Sequence, residues 1–160
     1  MAIVIRRASA ADAIAVGNLA KEFQDFLRSL DPAADFDWGA SQYLRDGFRD
    51  NPAFEGFVAE EKSVVVAFAL FHPGYDTDRG ERGFYMTDLF VSSTHRGRSV
   101  GKRLMQRIAE VGCERGVSWL AWSVFKGNAP AVKFYEALGA TYIDKLHQMY
   151  IAMDALRQTA

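Results

Sequence analysis

Between His95 and Arg107 the chain carries five cations, Arg96, Arg98, Lys102, Arg103 and Arg107, and no carboxylate. Within this run, Arg96-Gly97-Arg98-Ser99-Val100-Gly101 follows an apolar stretch ending at Val91 and opens a helical pattern. A strand, a turn and a helix in that order aim unpaired amide N–H groups and the positive end of a helix dipole at one spot, and glycine permits close backbone approach. The chemistry this predicts is the binding of an anion, with phosphate the natural candidate. Charge runs by themselves are commonly solvated faces, so the coincidence with a glycine loop is what singles this one out. It is neither a G-x-x-x-x-G-K-[ST] P-loop nor a G-x-G-x-x-G dinucleotide fingerprint.

Other reactive side chains are sparse. Asp88 is the carboxylate nearest the loop; strand alternation groups it with Met86 and Phe90 and sets it opposite Tyr85, Thr87 and Leu89. Cys113, the single cysteine, falls in a helix with no histidine nearby, which suggests a buried structural thiol rather than an acyl-carrying nucleophile. His72, His95 and His147 are scattered and suggest neither a metal site nor a catalytic pair, so no metal is expected. Lys21 to Glu61 holds ten acids against four bases, a net −6.

These residues need a scaffold. A brief alternation at Ile3–Arg6 is followed by Ser9, an N-cap residue, and by apolar residues at helical spacing that predict a helix over Ala10–Leu30. An acidic loop, Asp31–Gly39, leads to a short helix over Ala40–Phe48. Phe54–Glu60 and Ser63–His72 read as strands joined by a tight hairpin at Glu61-Lys62. Pro73–Gly83 reads as a polar loop before a third strand, Phe84–Val91. A helix over Val100–Arg115 should bury Val100, Leu104, Ile108 and Val111 and stop at Gly116. A strand over Ser118–Val124, a helix over Ala129–Leu138 with Pro130 in its first turn, and a closing hairpin, Thr141–Ile143 with His147–Met153, complete the chain. The pattern implies an α/β fold: a mixed, mostly antiparallel sheet with helices on both faces.

The whole chain bounds the function classes. At 160 residues it suits one domain, read here as 1–160, and 49% hydrophobic with 24% charged residues excludes a disordered chain. A net charge of −1 argues against a nucleic-acid coat, and no apolar run reaches the roughly 18 residues of a membrane span. No nucleic acid or membrane partner is expected, and the early charges Arg6 and Arg7 do not fit a secretory leader, so the expected location is cytoplasmic.

The combined motifs resemble the GNAT superfamily of acetyl-CoA-dependent N-acetyltransferases. Arg96–Gly101 is similar to the family's R/Q-x-x-G-x-G/A pyrophosphate loop, and Asp88-Leu89-Phe90-Val91 to the strand before it. Asn128 to Ala140 (NAPAVKFYEALGA) matches the later N-x-x-A-x-x-F-Y-x-x-x-G-A/F signature. Val66–Val91 looks most like the diamine (spermidine/spermine) acetyltransferase branch. Two positions depart: Ser99 stands where the loop has its central glycine, and Thr87 where the diamine branch has Glu as general base.

The resemblance implies acetyl-CoA (coenzyme A) as acyl donor, held by Leu89, Phe90 and Val91 of the strand, by Arg96, Gly97, Arg98, Ser99, Val100, Gly101 and Lys102 of the loop, and by Asn128 and Tyr135. It implies a backbone amide near Val91 as oxyanion donor and Tyr135 as the acid for the departing thiolate. Asn128 has an equal reading as a helix N-cap. Because an alkyl ammonium titrates near about 10, acetyl transfer to it needs a proton acceptor. Asp88 is the candidate, against a capping or ion-pairing role. The expected activity is acetylation of a primary amine of a small molecule, polyamine-like or amino-acid-like, by direct attack in a ternary complex. The alternatives are protein or peptide lysine acetylation and a non-catalytic acyl-CoA sensor. Many family members are dimers, so a homodimer is among the implied assemblies.

Overall fold

In the computed structural model, which describes residues 2–158, the chain forms two compact units, Met1–Asn128 and Ala129–Ala160. In the first unit, strand β1, Val4–Arg7, passes through a 3-10 turn, Ala10–Asp12, into helix α1, Ala13–Leu30. One carboxylate fixes that corner. Asp12, 4% exposed, accepts from the Ser9 N–H at 2.8 Å and from two Arg6 guanidinium nitrogens at 2.7 and 2.9 Å. The Arg6 bonds hold its carboxyl below the usual range despite burial. The α geometry therefore begins three residues later than the periodicity predicts. Helix α2, Ala40–Gly47, packs beside α1 and buries Tyr43 completely, with its hydroxyl donating to Ser9 O at 2.9 Å.

Strands β2, Glu55–Glu61, β3, Val64–Asp76, β4, Glu81–Val91, and β5, Trp119–Trp122, complete a sheet of order β1-β2-β3-β4-β5. All neighbours are antiparallel except β4 and β5, which are parallel because helix α3, Val100–Glu114, crosses between them. The predicted mixed sheet is found, with α1 and α2 on one face and α3 on the other. Val100, Leu104, Ile108 and Val111 are each at most 1% exposed, as the helical stripe requires; each contributes roughly 1.5–3 kcal/mol by burial.

The β2–β3 turn is Lys62-Ser63, both at positive φ (52° and 63°), the backbone that lets a two-residue hairpin follow strand twist. The expected loop at Pro73–Gly83 is mostly strand instead. Gly74 and Gly83 pair across β3 and β4, and the Trp119 indole lies over them: a Cβ on Gly83 would sit 1.9 Å from that ring. These glycines are the floor of an aromatic contact and not loop markers. Only residues 77–80 turn, with Asp76 Oδ1 accepting from the amides of Asp78 (2.9 Å) and Arg79 (3.2 Å).

Cys113 corrects another expectation, because it is exposed near the end of α3. His72 contacts Pro73 O at 2.9 Å and the Tyr85 ring, and His95 lies between Thr94 and Glu61.

The second unit holds helix α4, Ala129–Ala137, closed by Gly139 at φ 89°, and a short helix α5, Met153–Arg157. The predicted closing hairpin is absent among the described residues. Residues 140–152 have no regular structure, since an apolar alternating run becomes a strand only where it finds a ladder partner.

Candidate active site

The site grows from the end of β4. This strand reaches Val91, yet β5 pairs only with Gly83–Met86, so among the described residues Thr87–Val91 have no strand on that side. β5 itself ends at Trp122, opposite Met86. Ser92 N–H donates to Val66 O at 2.9 Å, directing that amide to β3, and alternation turns the amides of Leu89 and Val91 to the open side. The Val91 carbonyl confirms the direction by accepting from Arg96 Nε at 3.1 Å.

Beyond β4 the anion loop turns through Ser93–His95, Gly97 at φ 74° and Ser99 at φ 59°, ψ 14°. The first α3 hydrogen bond runs from Arg103 N to Ser99 O at 3.0 Å, so the amides of Val100, Gly101 and Lys102 precede it and have no acceptor within the helix. Two carboxylates brace the loop. Glu22 of α1 accepts from Ser93 N at 2.9 Å. Glu61, at the end of β2, accepts from Arg98 at 2.6 Å and meets His95 Nε2 at 3.2 Å. The Arg98 hydrogen bond in particular holds the Glu61 carboxyl to about 2. Arg96 lies over the rings of Phe26 (5.7 Å) and Phe90 (5.5 Å), and so stiffens the strand end.

Asp88 stands on the other arm of the site. An unbroken β4 would put Phe84, Met86, Asp88 and Phe90 on one face, but the register slips between Leu70 and Phe71: Leu70 pairs with Asp88 and Phe71 with Met86. Thr87 is the extra residue of a bulge. Consequently Phe84 packs on Phe71 and α3, whereas Phe90 stacks on Phe23 of α1 at 5.1 Å. The expected grouping of Asp88 with Met86 is thus corrected. Asp88 shares the α1 face with Phe90 and lines a cavity of about 100 Å³ with Phe23, Gln24, Phe36, Trp38 and Phe68. It is the one titratable group among the lining residues, and burial pushes its carboxyl up to about 6. Tyr85 occupies the same face, its hydroxyl 2.7 Å from Ser123 Oγ just beyond β5.

The structure therefore brings together Asp88, Leu89, Phe90, Val91 and the loop from Arg96 to Lys102. Asn128, 8% exposed, closes the first unit with its amide on Phe125 O at 2.8 Å. Tyr135 belongs to the second unit, half-buried on α4 against Phe134 (5.1 Å). Glu22, Glu61 and the bulge at Thr87 were not legible as site features. Glu61 marks only a turn in the sequence, and a bulge leaves no trace in a period-2 pattern. Among the described residues no group of three His, Cys, Asp or Glu side chains could hold a metal ion, and no helix is long and apolar enough to cross a membrane.

Residues 20–140 match the pattern of the acetyltransferase (GNAT) family. The chain belongs to this family. It is 29% identical to a thialysine N-epsilon-acetyltransferase of Bos taurus, over 99% of this chain and 97% of that one. Among solved structures, the fold matches the integron cassette protein VCH_CASS6 from the mobile metagenome of V. cholerae, with a TM-score of 0.80 and 24% identity over 99% and 98% of the two chains. It also matches a predicted acetyltransferase with acetyl-CoA from Clostridium acetobutylicum, with a TM-score of 0.71 and 20% identity over 93% and 96%. The protein is accordingly a GNAT N-acetyltransferase, and the family uses acetyl-CoA as donor.

Proposed function

We propose that this acetyltransferase acetylates a primary amine of a small molecule by direct attack in a ternary complex, with Asp88 as proton acceptor. The observation that carries the reading is a single carboxylate, raised to about 6, in an aromatic cavity beside the open end of β4. At neutral pH this carboxylate is ionised, so it attracts an ammonium, which the rings of Phe36 and Trp38 also favour. Its raised basicity narrows the gap to the amine and suits it to take the proton as the nitrogen attacks. The Bos taurus relative, named for thialysine, supports a small amine.

The donor set fits acetyl-CoA, which supplies an activated thioester and a diphosphate. Amides of Val100, Gly101 and Lys102, with Gly97, Arg98 and Ser99, would hold the diphosphate. The open edge of β4 over Leu89, Phe90 and Val91, with the Leu89 and Val91 amides turned outward, would take the amide-bearing arm as an added strand takes a ladder. We carry over from the family resemblance the Val91 amide as oxyanion donor, Asn128 as a donor contact and Tyr135 as the acid toward the thiolate. One domain over 1–160, a cytoplasmic location and a homodimer belong to the same proposal; the family match across residues 20–140 supports the first.

A thiol-release assay with acetyl-CoA against diamines, amino acids, aminoglycosides and lysine peptides tests it. Turnover of small amines well above peptides is expected, with kcat/KM rising through about pH 6 as Asp88 ionises. Turnover of peptides alone would overturn the acceptor class. Acetyl-CoA binding without thiol release from any acceptor would instead identify a sensor.

A further inference from the structure

Thr87 occupies the bulge that turns Asp88 toward α1, and its side chain is engaged there. Its Oγ1 donates to the Leu70 carbonyl at 3.2 Å, and Leu70 is the last β3 residue in register before the slip. The extra residue is thereby tied to the partner strand. We propose that Thr87 is a positioning residue, whose hydroxyl pins the β4 bulge to Leu70 and so keeps the Asp88 carboxylate aimed into the aromatic cavity. The functional consequence rests on the reading of Asp88 as proton acceptor.

The residue type fits the task. Threonine has a stiff χ1 and a hydroxyl donor, so it holds one orientation and satisfies a carbonyl. An ionised glutamate, found here in the diamine branch this chain resembles, accepts only and cannot make that bond. The tie and a carboxylate at position 87 are therefore mutually exclusive. In this chain position 87 holds the backbone and position 88 supplies the charge. Because side chains alternate, loss of the bulge by one residue would swing Asp88 to the α3 face, away from the cavity.

The groups facing Asp88 do not titrate: Gln24 from α1, whose amide is given to Trp38 O at 2.7 Å, Phe36 and Trp38 from the following loop, and Phe68 from β3. Farther along the same sheet face stand His72 and Tyr85, with Arg96 over Phe90 on the other side.

Carbon-13 NMR titration of the Asp88 carboxyl, assigned by difference from Asp88→Asn, tests the positioning without an acceptor. Wild type and Thr87→Ser should titrate near about 6, and Thr87→Val away from that value, as the carboxyl leaves the aromatic cavity. With acetyl-CoA and thialysine as probe, kcat/KM of Thr87→Val should fall about 10- to 100-fold, and Thr87→Ser should restore it. Thr87→Ala carries the same readings should the valine variant not fold. A Thr87→Val or Thr87→Ala carboxyl still titrating near 6 overturns the inference. A shifted titration combined with full activity of Asp88→Asn would leave the positioning intact and remove Asp88 as proton acceptor.

Discussion

Asp88 shows what a carboxylate in an aromatic cavity costs a fold. Its value in the folded protein, about 6, lies above the roughly 3.9 of an unfolded chain, so between those values the folded state binds more protons. The sign follows: stability contributed by this group falls as pH rises from about 4 to about 6 and is flat above. Discounted for its partial exposure, the penalty at neutral pH is about 1–2 kcal/mol. Asp88→Asn should therefore be more stable than wild type in urea at pH 7.5, about equal to it at pH 4, and inactive. A variant weaker than wild type at pH 7.5 would show that the carboxylate holds the structure together, the role set against catalysis in the sequence reading.

At the scale of elements, the anion loop pairs a strained residue with an otherwise relaxed frame. Ser99, which stands where the resembled loop has its central glycine, adopts a left-handed backbone, and its side chain makes no capping hydrogen bond in exchange. An L residue there costs about 1–2 kcal/mol, partly offset by the lower unfolded-chain entropy relative to glycine, about 0.5–1 kcal/mol. Ser99→Gly should accordingly raise the melting temperature by about 2–4 °C and tighten acetyl-CoA binding in calorimetry. Ser99→Val should do the reverse, and a glycine variant no tighter than wild type would place the diphosphate elsewhere. This loop was legible because its chemistry is local: cations, glycine and a helix start lie within a dozen residues. The α3 stripe was legible for the same reason. What escaped were the pairings distant in sequence. One bulge reverses the face of Asp88 against the period-2 pattern, the Trp119 indole over Gly74 and Gly83 makes strand of a glycine-bearing stretch, and nothing near Glu61 announces its hold on Arg98.

Across the whole molecule the two charged stretches sort by function only in part. Of the acidic stretch, Glu22 and Glu61 brace the basic loop, while Asp25, Asp46, Glu55 and Glu60 pair with arginines. Asp35 and Asp37 enter no ion pair among the described residues, are exposed, and alternate with Phe36 and Trp38, which turn into the Asp88 cavity. Their field therefore lies at the cavity rim, where it would draw a cationic acceptor without touching the chemistry. Replacing both with Asn should raise KM for cationic amines about 2- to 5-fold at low ionic strength and leave kcat unchanged. The effect should fade toward 1 M salt, where the screening length shrinks to about 3 Å. Neutral acceptors serve as the control: an equal rise in their KM would mean that the substitutions disturb the Phe36–Trp38 wall itself, and the acidic rim would then have no part in selecting the amine.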